Sequence, residues 1–305
     1  MRLRHLIPAI ALATLTVATG CAAPDSTSPS TDGGGSEPSA SVGAVTRDEA
    51  AAEMLPADIK SSGVVRVASG VSFPPMEFFD TDNKTVLGFD ADLGQALGEV
   101  LGVEFKFENT NFDGIIGGLN AGRYDLSLTS MIDRKERQAT VDFVDYLSSG
   151  VTFMVKKGNP EGLSDKLDLC GKTVAVEKAA TGDLTADDIS TECTTAGEPA
   201  LKKQPFPDQA SAVQALQSGR ADAVLALDLT LAYNVKQDPE SFEIASKPFG
   251  VLPIGIPVPK DKPELRDAVQ AALLKVIESG TYEELLAKWN LTDQALEGAP
   301  INQGE

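Results

Sequence analysis

The 305-residue chain has one histidine, one tryptophan, three cysteines and a shortage of positive charge, with 26 Lys plus Arg against 45 Asp plus Glu. The histidine, His5, sits in a segment that reads as a secretion signal. Arg2 and Arg4 form a positive head, Ile7 to Val17 an apolar run too short for a permanent membrane span, and Ala18, Thr19 and Gly20 a small-residue exit. With residues 1–20 removed no histidine remains, which excludes Ser-His and Cys-His nucleophile pairs and His-ligated zinc. Neither a metal nor any other cofactor is expected. The charge of the rest is 24 basic against 45 acidic residues, or −21, and such a surface repels nucleic acid and anionic lipid.

What is present begins with Cys21. A small triplet directly before a cysteine resembles the lipobox of bacterial lipoproteins, with Ala18 where that pattern prefers Leu. The resemblance implies cleavage before Cys21, acylation of its thiol, and a protein anchored by lipid to the outer face of the cell membrane; the alternative is an ordinary signal peptide with an incidental cysteine. Cys170 and Cys193 then remain, and in an oxidising space an isolated pair is most simply a disulfide, two buried free thiols being the alternative. Residues 22–45 are rich in Ser, Gly, Pro and Thr and read as a flexible tether, drawn with Cys21 over 21–61.

From residue 62 short β-branched runs alternate with amphipathic stretches: VVRVA (64–68), DADLGQALGEVL (90–101), VEFKF (103–107), DGIIGGLNA (113–121) and DLSLT (125–129). Leu93, Leu97, Val100 and Leu101 share one helical face, and Asp90 is placed to cap that helix. The rhythm restarts with VTFMV (151–155), TVAV (173–176), QASAVQALQSG (209–219) and DAVLA (222–226). VLPIGIPVP (251–259) and two amphipathic stretches, 263–278 and 281–289, follow. This implies α/β architecture with mostly parallel sheets, in two lobes or in a single domain of about 240 residues, the restart favouring two.

The blocks GVVRVASGVSFPPMEFFD (63–80), GFDADLGQALGEVLGV (88–103), FDGIIGGLNAGRYDLSLTSM (112–131), ERQATVDFVDY (136–146), LCGKTVAV (169–176), SGRADAVLA (218–226) and SGTYEELLAKW (279–289) stand in the order of a known family. Over about residues 60–292 the chain resembles the family 3 extracellular solute-binding proteins, the polar amino acid receptors of ABC importers, in their actinobacterial lipoprotein form. The resemblance implies a two-lobed periplasmic-binding-protein fold of type II. Lobe 1 would comprise 62–149 and 255–293, lobe 2 the insertion 150–254, and 294–305 a C-terminal tail. Two hinge crossings, near 147–153 and 249–256, would let the lobes close on a ligand.

By residue matching, Arg137 takes the ligand carboxylate, because a planar guanidinium can grip it bidentately. Without the family, Arg137 reads as a surface charge paired to Glu136 or Asp133, and Arg134 and Lys135 as solvated. Phe73 and Phe112 match rings that sandwich the ligand, with core phenylalanines as the plain alternative. Thr129 and Ser130 match contacts at a strand end, and Thr181 a hydroxyl at a helix start whose dipole favours an anion.

Three departures stand out. Ile132 replaces a Thr or Ser, Leu227 replaces the Asp that pairs with the α-ammonium, and Gly70 replaces another Asp. Asp228 is expected to serve in place of Leu227, and Glu177 to face a cationic group. The ligand is then an ordinary polar amino acid, a modified or N-substituted one, or a different small carboxylate. The implied function is a monomeric, non-enzymatic receptor that hands its ligand to an ABC permease. The rivals are a cleft dehydratase of the same fold and a ligand-sensing module.

Overall fold

The computed structural model describes residues 45–305; the secretion segment, Cys21 and the low-complexity stretch to residue 44 lie outside the described residues. The tether does not extend to residue 61 as expected. Glu49–Glu53 and Ala57–Ser62 are short helices, and Ala51 in the first, Leu55 in the turn between them and Ile59 in the second are buried in the core.

Twelve strands follow: β1 Val64–Ser69, β2 Phe78–Phe79, β3 Val86–Leu87, β4 Glu104–Asn109, β5 Leu126–Ser127, β6 Met131–Ile132, β7 Val141–Lys156, β8 Thr173–Glu177, β9 Lys202–Phe206, β10 Ala223–Leu227, β11 Phe242–Ile244 and β12 Phe249–Pro259. One sheet has the order β4-β1-β5, all parallel; a second runs β6-β12-β7-β10-β8-β9, with β11 also on β7. The first sheet lies in one α/β lobe, and the second runs through β7 from that lobe into the other. The run expected as VTFMV is the far half of a 16-residue strand. Val141 to Ser149 of β7 face Pro259 to Leu252 of β12, and Val151 to Met154 face Leu227 to Val224 of β10. One continuous strand thus serves both lobes, and β12 runs antiparallel beside it.

The helix Phe89–Leu101 has its expected apolar face, with Leu93, Leu97, Val100 and Leu101 all buried, each contributing about 1.5–3 kcal/mol over exposure. Its cap is not Asp90. The N-cap is Gly88 at φ 128°, where a Cβ would overlap the Met76 carbonyl, so only glycine allows the close approach. Asp90 turns inward, 0% exposed, and accepts from the Tyr146 hydroxyl at 2.7 Å and the Ser130 N–H at 2.9 Å.

In the second lobe, the helix Thr181–Thr195 lies against β8, β9 and β10, and Cys193 on it is joined to Cys170 across a sequence separation of 23. The segment 294–305 is not a loose tail. Ala295 bridges to Leu147 and Ile301 to Val144, so it runs antiparallel along β7.

Candidate functional site

A narrow cavity lies between the lobes. The first lobe lends it Phe73 and Glu77, from the turn before β2, Phe112, and Thr129 and Ser130, just after β5. From the second lobe come Glu177 at the end of β8, Thr181 at the start of its helix, Gln209 at the start of the helix Gln209–Gln217, and Leu227 at the end of β10. Strand ends and helix starts from both sheets thus meet, the usual position of ligand sites in open α/β sheets.

Arg137 sits in the short helix Lys135–Gln138 and is 6% exposed. Its guanidinium donates to the Ile132 carbonyl at 2.8 Å and, across the cleft, to the Ala179 carbonyl at 3.0 Å, and lies 5.4 Å from the centre of the Phe112 ring. It backs the cavity through Phe112 rather than forming its wall. The surface pairing with Glu136 or Asp133 is not made: among the described residues Arg137 has no ion pair, and burial, with Arg134 adding to it, lowers its pKa to about 10. A buried cation without a counter-charge costs several kcal/mol, which an anionic ligand offsets. Arg134 is not simply solvated either: it pairs loosely with Glu136 at 3.5 Å and with Asp188 of the second lobe at 3.7 Å.

Ser130, in the cavity wall, and Ala179, whose carbonyl meets Arg137, hold left-handed backbone without being glycine, at φ 50° and φ 62°. Such conformations cost of order 1–3 kcal/mol and cluster at ligand sites. At Ala179 the turn presents its carbonyl to Arg137; at Ser130 it aims the N–H at Asp90.

The cavity's acidic groups oppose the arginine. Glu77, 1% exposed, accepts from the Thr129 hydroxyl at 2.8 Å, and Thr129 in turn accepts from the Gly70 N–H at 2.9 Å. Burial, with the neighbouring Asp90 adding to it, pushes Glu77 well above the usual carboxylate range. Burial lifts Asp90 to about 6 against the hydrogen bonds from Tyr146 and Ser130. Glu177, 5% exposed, is pushed up to about 8 by burial, then by Asp208 and Asp113. Neither Glu77 nor Glu177 has a Lys or Arg at ion-pair distance among the described residues. The Nε2 of Gln209, 2% exposed, is also without a hydrogen-bond partner.

The sequence reading missed Glu77 and Gln209. Phe73, Phe112, Thr129, Ser130, Thr181 and Glu177 are brought together at one cavity; Ile132 and Asp228 are not. Ile132 is 1% exposed, packs in the core and offers only its carbonyl, to Arg137. Asp228 begins the helix Asp228–Gln237 and lines a separate depression with Tyr233 and Trp289; its carboxylate accepts from the Ser149 hydroxyl and the Leu229 N–H. The helix start turns it away from Leu227, which stays in the cavity wall.

Residues 65–292 match the family model of the bacterial extracellular solute-binding proteins, family 3. The arginine-binding protein ArgT of Corynebacterium glutamicum is 29% identical over 82% of this chain and 82% of its own length. The L-arginine-binding protein of Pseudomonas aeruginosa is 32% identical over 74% of this chain and 87% of its own. A mutant of ArgBP from T. maritima superposes with a TM-score of 0.70 at 32% identity, covering 79% of this chain and 99% of that one, and its two-lobed type II fold is the architecture seen here. The chain belongs to family 3 of the bacterial extracellular solute-binding proteins.

Proposed function

We propose that the protein captures an α-amino acid bearing a second cationic group, of the arginine type, and delivers it to an ABC permease while held to the membrane through Cys21. The lobes are drawn at 62–149 with 255–293, and 150–254, and they close on the ligand. Arg137 receives the α-carboxylate, Phe73 and Phe112 flank the ligand body, and Thr129, Ser130 and Thr181 supply hydroxyl and backbone contacts. Glu77 and Glu177 receive the cationic groups in place of the Asp that Gly70 and Leu227 lack, and Gln209 adds an amide.

The observation that carries this reading is the charge balance. One buried guanidinium stands behind Phe112 at one side of the cavity and two buried carboxyls line it, none with a counter-ion among the described residues. A zwitterion with an extra positive charge is the small molecule that complements both. Several relatives are named for arginine, which supports the same class.

The test is a thermal-shift series with L-arginine, L-citrulline, which lacks the side-chain charge, and agmatine, which lacks the carboxylate. L-Arginine is expected to raise the midpoint most. Citrulline matching it would sink the carboxyl role in taking the side-chain cation, and agmatine matching it would sink that of Arg137. A dehydratase would also need a carboxyl held as an acid in the cleft, as Glu177 is. The relatives are named binding proteins, and turnover of prephenate or arogenate by the purified protein would overturn the receptor reading.

A further inference from the structure

Arg137 stands on a loop, residues 132–138, with one short helical turn of its own, so something else must fix it. The residues that do so lie over 160 positions further along the chain. From residue 300 onward the segment is hydrogen-bonded along β7: the Asp145 N–H donates to the Pro300 carbonyl at 2.9 Å, the Asn302 N–H to the Phe143 carbonyl at 3.2 Å, and the Phe143 N–H to the Asn302 Oδ1 at 2.8 Å. Asn302 also donates to Asp142 at 3.0 Å, and the Gln303 N–H to Asp145 at 3.2 Å. The segment then leaves the strand and closes over the arginine loop. The Gly304 N–H donates to Asp133 Oδ2 at 2.7 Å, and Gln138 Nε2 donates both to Asp133 Oδ1 at 2.8 Å and to the Gly304 carbonyl at 3.1 Å. The Lys135 N–H reaches the Glu305 carbonyl at 3.4 Å.

Asp133, 0% exposed, is therefore held by Gly304 and Gln138 through its side chain and by the Pro253 carbonyl through its N–H at 2.8 Å. It directly follows Ile132, whose carbonyl holds the Arg137 guanidinium. Gln138 directly follows Arg137. A Cβ at Gly304 would overlap the Asp133 carbonyl, so the fit admits glycine alone.

We propose that residues 300–305 form a positioning strap that clamps both ends of the arginine loop, at Asp133 and Gln138, and so holds the Arg137 guanidinium at the cavity. Its consequence for binding rests on the reading that Arg137 receives the ligand carboxylate. In this view the strap residues are positioning groups that never touch ligand. They narrow the orientations of the guanidinium beforehand, so less is lost on binding.

Two variants test it, one lacking Gly304 and Glu305 and the milder Gly304→Ala. In hydrogen exchange without ligand, amides of residues 135–138 should exchange at least tenfold faster in both, while β1 and β4 stay unchanged. The dissociation constant for L-arginine should rise at least tenfold, and in an Arg137→Lys background the same strap changes should cost clearly less, because both changes act on one group. Unchanged exchange in the loop would overturn the strap, as would an equal loss of affinity in the Arg137→Lys background. Loss of folding in both variants would do the same, since the segment would then be part of the core. If Arg137→Lys binds L-arginine as well as the unaltered chain, or the unaltered chain does not bind it, the carboxylate reading or the ligand class fails instead. The exchange measurement then decides the strap alone.

Discussion

Replacing Arg137 by alanine separates a ligand-binding cation from a structural one. The side chain is buried, its two recorded hydrogen bonds go to the backbone carbonyls of Ile132 and Ala179, and it has no ion pair among the described residues. Without ligand, loss of these two bonds, about 1.5–3 kcal/mol each, is set against relief from burying an uncompensated charge, which costs several kcal/mol. The two nearly cancel, and the midpoint without ligand should move by no more than about 3 °C. With ligand the cancellation fails, because the carboxylate loses its buried partner, at about 2–5 kcal/mol or roughly 30- to several-thousand-fold in affinity. At L-arginine one hundred times the dissociation constant of the unaltered chain, binding adds about 2.7 kcal/mol, or about 5–11 °C for a chain of this size. A thirtyfold weaker variant retains about 0.9 kcal/mol at the same concentration, a shift of about 2–4 °C. Differential scanning fluorimetry with and without L-arginine reads both quantities. A full ligand shift in Arg137→Ala would refute the reasoning, and a midpoint that collapses without ligand would make the arginine structural.

Other outcomes follow from the same groups. Asp90, Asp145 and Glu177 are raised by burial to about 6, 7 and 8, whereas in the unfolded chain such carboxyls titrate near 4. The folded state therefore keeps protons that the unfolded chain releases, and stability is lost as pH rises from about 4 through about 8, each group adding at most about 1.4 kcal/mol per pH unit. Urea denaturation without ligand at pH 5 and pH 8 checks the sign, and greater stability at pH 8 would contradict it. Binding of a cationic amino acid near pH 7 should also release protons, measurable as a calorimetric enthalpy that changes with buffer. Cys193→Ala opens the Cys170–Cys193 link and should cost about 3 kcal/mol by loop entropy; a midpoint indifferent to it would show the link to be energetically idle. Leu227→Asp, in the cavity wall, should improve binding of simple α-amino acids such as L-glutamine if Leu227 is what excludes them, and titration calorimetry showing no gain would mean that Glu77 or Glu177 already takes the amine.

What the sequence made legible is local. Phe73, Phe112, Thr129, Ser130 and Thr181 each sit in a block tied to one strand end or helix start, so placing the element places the residue. Glu77 escaped because PPMEFFD reads as a surface acid beside a short strand; what buries it is Thr129, 52 residues away, and Asp90. Asp90 was misread for the same reason. An Asp at a helix start is ordinarily a cap, but its partners Ser130 and Tyr146 lie 40 and 56 residues distant. Asp228 failed by geometry, since a helix start at that residue turns its carboxylate to Ser149 and away from the cavity. The apolar spacing of Ala51, Leu55 and Ile59 marks residues 49–62 as folded, but Pro56 divides them into two short helices, and the low-complexity run before them obscured the signal.

Under the proposed function the lobes close as the ligand is captured, and the bonds that join them enter that balance. The Thr230 hydroxyl meets the Pro74 carbonyl at 2.7 Å, Lys178 meets Asp113 at 2.8 Å, and Arg137 meets Ala179 at 3.0 Å. The Lys178–Asp113 pair is screened by solvent and adds little; the neutral Thr230–Pro74 bond contributes about 1 kcal/mol and the charged Arg137–Ala179 bond about 1.5–3 kcal/mol. Against them, closure removes water from Arg137, at several kcal/mol for the unmatched cation, and from Glu77 and Glu177, which must take up protons to be buried without a partner. Closing on water is therefore near balance or unfavourable, whereas closing on a molecule that carries the opposite charge at each place restores the matching that desolvation removed. A ligand shifts such an equilibrium only by its differential affinity for the two states, and here that difference is concentrated in three ionisable side chains. Neutralising Glu77 and Glu177 together, as Glu77→Gln with Glu177→Gln, should thus favour closure without ligand while weakening L-arginine. Small-angle scattering that finds the double variant more open than the unaltered chain would contradict this electrostatic account of closure.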